Sequence, residues 1–356
     1  MDVLSRRVRL LRVLALLLVV YAPLVVVLSH STGAPQAASV TLAPSMSAAP
    51  RSPIPVAPVQ PAGPPSPLPI PAPAPPPVSP FTGLPTDPAA PVVAVKVDNA
   101  ASARPQSGLE LADVVYVEPV EGGLSRLLAV YQSRCPAVVG PVRSARLTDL
   151  QLLANFGRPA LVFSGAAPEV SALVASAPLV DVSELARPGP YRRDWRRPMP
   201  HNLYADTSSL RRFGAPPRDI GFRFGPPPPG GHPLPATEVS YPAATIGVQW
   251  DPAQGRWMIV MDGVPLTSAS GPRPSAATVV LQHVAMHLTQ IRDAAGSPSP
   301  FVATVGSGEA VVLRDGLAFA GSWSRPAPDA ATAFTFPDGS PLTFAPGPVW
   351  VVLVPT

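Results

Sequence analysis

Val92-Val93-Ala94-Val95-Lys96-Val97, closed by Asp98-Asn99, is a short continuous apolar run of the kind found in a buried strand. Val114 to Val117 and Arg126 to Tyr131 repeat the pattern, and Ala160 to Phe163 reads as a further strand. Between and after them lie helical windows. Thr148 to Phe156 has Leu150, Leu153 and Ala154 at helical spacing with Gly157 as a stop. Pro168 to Ser176 opens with proline in its first turn, and Asp206 can cap a short helix running to Phe213. Strands alternating with helices predict an α/β domain over residues 81–225. A Pro/Gly linker follows at 226–236. Residues 237–356 are strand-rich, with Asp-Gly turns at Asp262-Gly263, Asp315-Gly316 and Asp338-Gly339. Thr278 to Val284, Ala310 to Leu313 and Val349 to Val354 are strands there. The whole therefore reads as α+β, an N-terminal α/β domain followed by a smaller β-rich one.

Upstream of residue 81 the chemistry changes. Arg6, Arg7, Arg9 and Arg12 lead into an apolar run ending at Leu28, with Leu10 and Leu11 extending it. About 20 residues span a bilayer core, so residues 10–28 suit a single transmembrane helix. The arginines hold the N-terminus in the cytoplasm and send the bulk outside. Residues 1–30 are thus expected to form a basic tip and membrane anchor. A cleaved signal peptide is the alternative, and both readings export the remainder. Residues 31–80 follow as a disordered stalk, with 17 prolines between Ala34 and Pro80. Basic residues outnumber acidic ones five to one before residue 81 and equal them, 21 to 21, after it. The basic excess belongs to the membrane-proximal tail, so nucleic acid is not the expected partner.

Chemistry-bearing residues gather at the strand ends. Asp98-Asn99 closes the first strand, and Arg104 and Gln106 follow. Glu118 and Glu121-Gly122-Gly123 close the second, and Arg126 opens the third. Arg143, Ser144 and Arg146 precede a helix. Guanidinium groups there suit an anionic ligand, or else they brace loops against Glu118, Glu121 and Asp149. The segment Arg187 to His201 interleaves five arginines with Tyr191 and Trp195, as a mobile solvated loop or a polymer-binding one. His201-Asn202 ends it, and His201 is either a strut or an acid/base group. Cys135 is the single cysteine, which excludes an internal disulfide and a cysteine metal site. His283 and His287 lack a third ligand of clear spacing. No metal and no cofactor are expected. Trp257, Trp323 and Trp350 read as packing residues.

These stretches resemble a known family. Phe81-Thr82-Gly83-Leu84, Val95 to Asn99, Ala103 to Gly108, Ala112-Asp113, Glu121 to Gly123, Gly140 to Arg146 and Pro200 to Asn202 are similar to the YerB-like bacterial envelope family. Gly306 to Ala310, Gly321 to Trp323 and Gly347 to Val354 extend the likeness. The resemblance implies an N-terminal and a C-terminal domain of unknown function over about residues 80–356. It carries no activity to transfer. Many members are lipoproteins, whereas this chain has a hydrophobic segment and no lipobox cysteine. Arg104, Glu121, Arg126, Arg143, Arg146 and His201 fall inside the family's motifs.

Three functions fit. The first is an envelope protein binding an anionic ligand (polymer phosphate, polyprenyl phosphate or sugar acid) through Arg104, Gln106, Glu121, Arg126, Arg143, Ser144, Arg146, His201 and Asn202. The second is an envelope hydrolase or transferase on a glycan or phosphopolymer, with Glu121 or Glu118 as acid/base and His201 as proton shuttle. The third is a scaffold for other envelope proteins, without a small ligand.

Overall fold

The computed structural model describes residues 76–356. The expected anchor at residues 10–28 and most of the expected stalk lie outside the described residues. Among the described residues no helix is long and apolar enough to cross a membrane.

The first expected strand is present as β1 (Val93–Asp98). β2 (Val114–Pro119) and β3 (Ser125–Tyr131) follow, then the short β4 (Ala160–Val162) and β5 (Val180–Asp181). β3 pairs antiparallel with both β1 and β2, while β4 lies parallel to β1 and β5 parallel to β4. The strand Val349–Pro355 runs parallel to β2 on one side and to Thr278–Val284 on the other. Beyond that, Gly306–Arg314, Leu317–Arg325 and Ala333–Thr335 continue the same sheet. Strands from both halves of the sequence thus form one 11-stranded sheet.

The expected α+β class is overturned, for the protein is mostly β. Three short α-helices occur among the described residues: α1 (Leu147–Leu153), α2 (Pro168–Val174) and α3 (Thr207–Leu210). They fall at the expected windows, but none exceeds two turns. Antiparallel β1–β3 need no helical crossover, so the expected α/β winding reduces to the β1–β4–β5 edge.

The strands sort their side chains by alternation. Val93, Val95 and Val97 face a cluster shared with Trp257, Ile259 and Met261 of a second, five-stranded sheet. Ala94, Leu128 and Tyr116 face the opposite cluster, which Leu152 and Leu153 of α1 and Val170 and Val174 of α2 cover. Lys96 and Asp98 of β1, Glu118 of β2 and Arg126 of β3 share this helix-covered face. Three Asp-Gly turns were expected to join strands. Asp262 and Asp315 sit at φ 53° with glycine following in the same left-handed region, the tight hairpin turn of the expected type.

A cationic cleft at the strand ends

Asp98, Arg126 and Glu118 form one row across the sheet, because Arg126 lies opposite Asp98 in β1 and opposite Glu118 in β2. The chain reaches this row again through Val142 to Arg146. The Arg143 N–H donates to the Lys96 carbonyl at 2.8 Å, and the Ser164 N–H donates to the Arg143 carbonyl at 3.0 Å. Arg146 then caps α1, its own N–H donating to Asp149 Oδ2 at 2.6 Å. The β2–β3 turn brings Glu121 alongside. Gly123 in that turn has φ 72°, and a Cβ there would lie 2.6 Å from Pro242.

Glu121 and Asp98 each take an arginine. Arg146 grips Glu121 with Nε at 2.7 Å and Nη2 at 2.8 Å, and the Ser299 hydroxyl donates to the same carboxylate. Burial pushes the Glu121 carboxyl up, but the Arg146 and Ser299 hydrogen bonds outweigh it and hold the group below its usual value. An acid held ionised this way is a poor proton donor, which weakens its expected catalytic role. Asp98 Oδ2 receives Arg143 Nε at 3.1 Å and lies 2.7 Å from His201 Nδ1.

Arg126 is the exception. It is 8% exposed, and among the described residues no carboxylate lies within ion-pair distance of it. Its side chain donates to the Ser144 carbonyl at 3.3 Å. Burial, together with the neighbouring Arg146 and Arg143, lowers its pKa to about 10, so it remains a cation at neutral pH. Glu121, Arg126, Arg143, Ser144 and Arg146 line one cleft of about 670 Å³. Its opposite wall is the arm Met286–Val302, which contributes Ile291, Arg292, Asp293 and Ser299.

The remaining expected site residues lie elsewhere. Arg104 donates to the Asn99 carbonyl at 2.7 Å and pairs with Asp262 at 2.9 Å, bracing the first half against the second. Gln106 donates to the Asp98 carbonyl at 3.0 Å and the Asn99 side chain at 3.1 Å. Asn202 is buried and accepts from Arg193 at 3.1 Å. His201 joins the cleft indirectly, through Asp98.

The Arg187–His201 segment is an ordered hairpin, since Tyr191–Arg193 pairs with Leu203–Ala205. Arg193 binds Glu184, and Arg197 donates to the carbonyls of Ala103 and Pro105 at 3.0 and 2.9 Å. Its tip carries Trp195 at 75% exposure. Among the described residues no cluster of three or more His, Cys, Asp or Glu side chains is placed to hold a metal ion. His283 and His287 fall on separate strands, and His287 packs against Phe301.

Two groups escaped the site reading. Ser299 comes from a segment about 180 residues from Glu121, and nothing local in the sequence marks it. Asp98 was legible only as a strand-end polar residue.

Fold and cleft define a β-rich protein of two sequence halves with a cationic groove at its strand ends. The chain belongs to the "Protein of unknown function (DUF3048)" family. Its N-terminal domain model matches residues 81–220, and its C-terminal domain model matches residues 237–351. The chain is 37% identical over 139 residues to "Putative lipoprotein YerB" of Bacillus subtilis (strain 168). That stretch is 38% of this chain and 41% of the relative, so it spans less than half of the relative's length. The fold is similar to the crystal structure of the YerB protein from Bacillus subtilis, with a TM-score of 0.67 and 24% identity. That likeness covers 78% of this chain and 97% of the other. The family resemblance drawn from the motifs is therefore correct.

Proposed function

We propose that this chain is a membrane-anchored, extracytoplasmic protein that binds an anionic envelope ligand in the Arg126–Arg143–Arg146 cleft. The observation that carries the reading is Arg126, a buried cation without a carboxylate partner among the described residues. Leaving such a charge uncompensated is costly, so the site favours an anion that completes it. A phosphate or carboxylate accepts from several guanidinium groups at once. The cleft volume of about 670 Å³ accommodates a sugar phosphate or a polymer segment. Polymer phosphate, polyprenyl phosphate and sugar acids share this chemistry.

The arginine-led apolar segment at residues 10–28 supports the location, as does a relative bearing the name "Putative lipoprotein YerB". The test is a melting-temperature titration of the purified full chain in detergent with inorganic phosphate, a poly(glycerol phosphate) and glucuronate. At least one anion raises the melting temperature of the wild type. In Arg126→Ala the shift disappears while the fold, followed by circular dichroism, persists. A wild type indifferent to all three anions overturns the proposal, as does an Arg126→Ala protein that responds unchanged.

A further inference from the structure

Beneath the cleft lies a second charged cluster that ligand binding does not use. Lys96 Nζ lies 2.7 Å from Asp149 Oδ1 and 2.9 Å from Glu118 Oε2. All three side chains are 0–1% exposed. They sit on the helix-covered face of the sheet, beside Leu128, Tyr116, Leu152 and Leu153. Two acids against one base, in an apolar enclosure, is a costly arrangement for a structural ion pair.

Composition supplies an independent observation. Of the 26 basic residues in this chain, 25 are arginine, and Lys96 is the single lysine. An arginine would make a stronger buried ion pair, but its guanidinium keeps its proton. An amine can lose its proton and become a nucleophile.

We propose that Lys96 and Asp149 condense within the folded protein into an amide cross-link, with Glu118 as the proton-transferring group. The balance of atoms is simple. An ammonium proton passes to the Asp149 carboxylate, leaving a neutral amine beside a neutral acid. Lys96 Nζ attacks the Asp149 carboxyl carbon, forming the C–N bond. Glu118 accepts the second proton from nitrogen and delivers it to Oδ1, and the C–O bond to Oδ1 breaks with loss of one water. Glu118 ends as it began, and no oxidant or co-reactant enters.

The surroundings suit each step. Asp149 Oδ2 already accepts the Arg146 N–H at 2.6 Å, which stabilises negative charge on that oxygen during the attack and remains a partner of the amide carbonyl. Burial, then the neighbouring Asp149, push the Glu118 carboxyl up to about 8 despite Lys96, a value matched to passing protons near neutral pH. Sheet and helix hold amine and carboxyl together, which removes the entropic barrier to condensation. The product exchanges a buried ion pair for a neutral amide and relieves the cost of its burial.

The single lysine makes the test clean. The full chain is purified in detergent, unfolded in denaturant and treated with an amine-acylating reagent. Lys96 is then the only side-chain amine available. The wild type leaves Lys96 unlabelled, and its digest contains a branched peptide joining Lys96 to Asp149, lighter by one water than the two separate peptides. Glu118→Gln accepts label at Lys96 and yields no branched peptide. Lys96→Arg also yields none, and it reports whether an uncross-linked chain folds. Full labelling of Lys96 in the folded and then denatured wild type overturns the proposal, whatever the variants do. A branched peptide of undiminished abundance in Glu118→Gln removes the role assigned to Glu118.

Discussion

Arg126 and Arg146 show how neighbours decide what identical side chains do. Arg146 spends its charge on Glu121, whereas Arg126, opposite Asp98 and Glu118 in register, is left to the cleft. The Glu121–Arg146 pair carries a pH signature. Its carboxyl titrates below its ordinary value of 4.5 in the folded chain and near that value when unfolded. Its contribution is therefore complete above 4.5 and is lost as pH falls through the lower folded value. Urea midpoints followed downward from pH 6 should decline in the wild type. In Glu121→Gln that decline should be shallower, and an equal decline would show that the pair has no part in it.

At the scale of elements, α1 carries two duties. Its apolar side packs Leu152 and Leu153 on the sheet, and its first turn presents Asp149 to Lys96 and to the Arg146 N–H. Leu153 is fully buried, so Leu153→Ala should cost about 2–5 kcal/mol in denaturant unfolding. It should also reduce anion binding, because the helix positions Arg146. The arm Met286–Val302 is the other working element. Its Val302 N–H donates to Thr148 Oγ1 at 3.1 Å and its Ser299 reaches Glu121, tying the arm to α1 and to the cleft floor.

The whole molecule is held together by its last strand. Val349–Pro355 is flanked by β2 from the first half and Thr278–Val284 from the second, both in parallel register. The Arg104–Asp262 pair and the Tyr241 hydroxyl, which lies 3.3 Å from the Val117 carbonyl, join the halves elsewhere. A chain stopped after Pro348 would leave two buried sheet edges unpaired. It should be recovered aggregated or without cooperative unfolding, as gel filtration and thermal melting would show. A soluble truncated chain melting at the wild-type temperature would contradict this account of the sheet.

Much of the local structure was legible in the sequence. β1, β2 and β3, the windows of α1 and α2 and the Asp262-Gly263 and Asp315-Gly316 turns follow from apolar runs, proline placement and left-handed backbone preference, all local properties. So was the gathering of Glu121, Arg126, Arg143, Ser144 and Arg146, since α/β-like strand ends collect polar residues whatever the strand order. The fold class was misread because alternation of strands and helical windows does not report direction. Whether β2 and β3 run antiparallel, and whether a strand 230 residues later lies beside β2, depends on contacts between distant segments. The sorting of the arginines was equally out of reach. Lys96, Glu118 and Asp149 are far apart in the chain, and only the pleat of β1 and β2 and the seat of α1 place their charges together. Sequence by itself determined the elements and the store of charge, because those depend on neighbours along the chain. Tertiary structure decided which charges meet and that Arg126, among the described residues, has no carboxylate beside it, because burial and distance exist only once the sheet has closed.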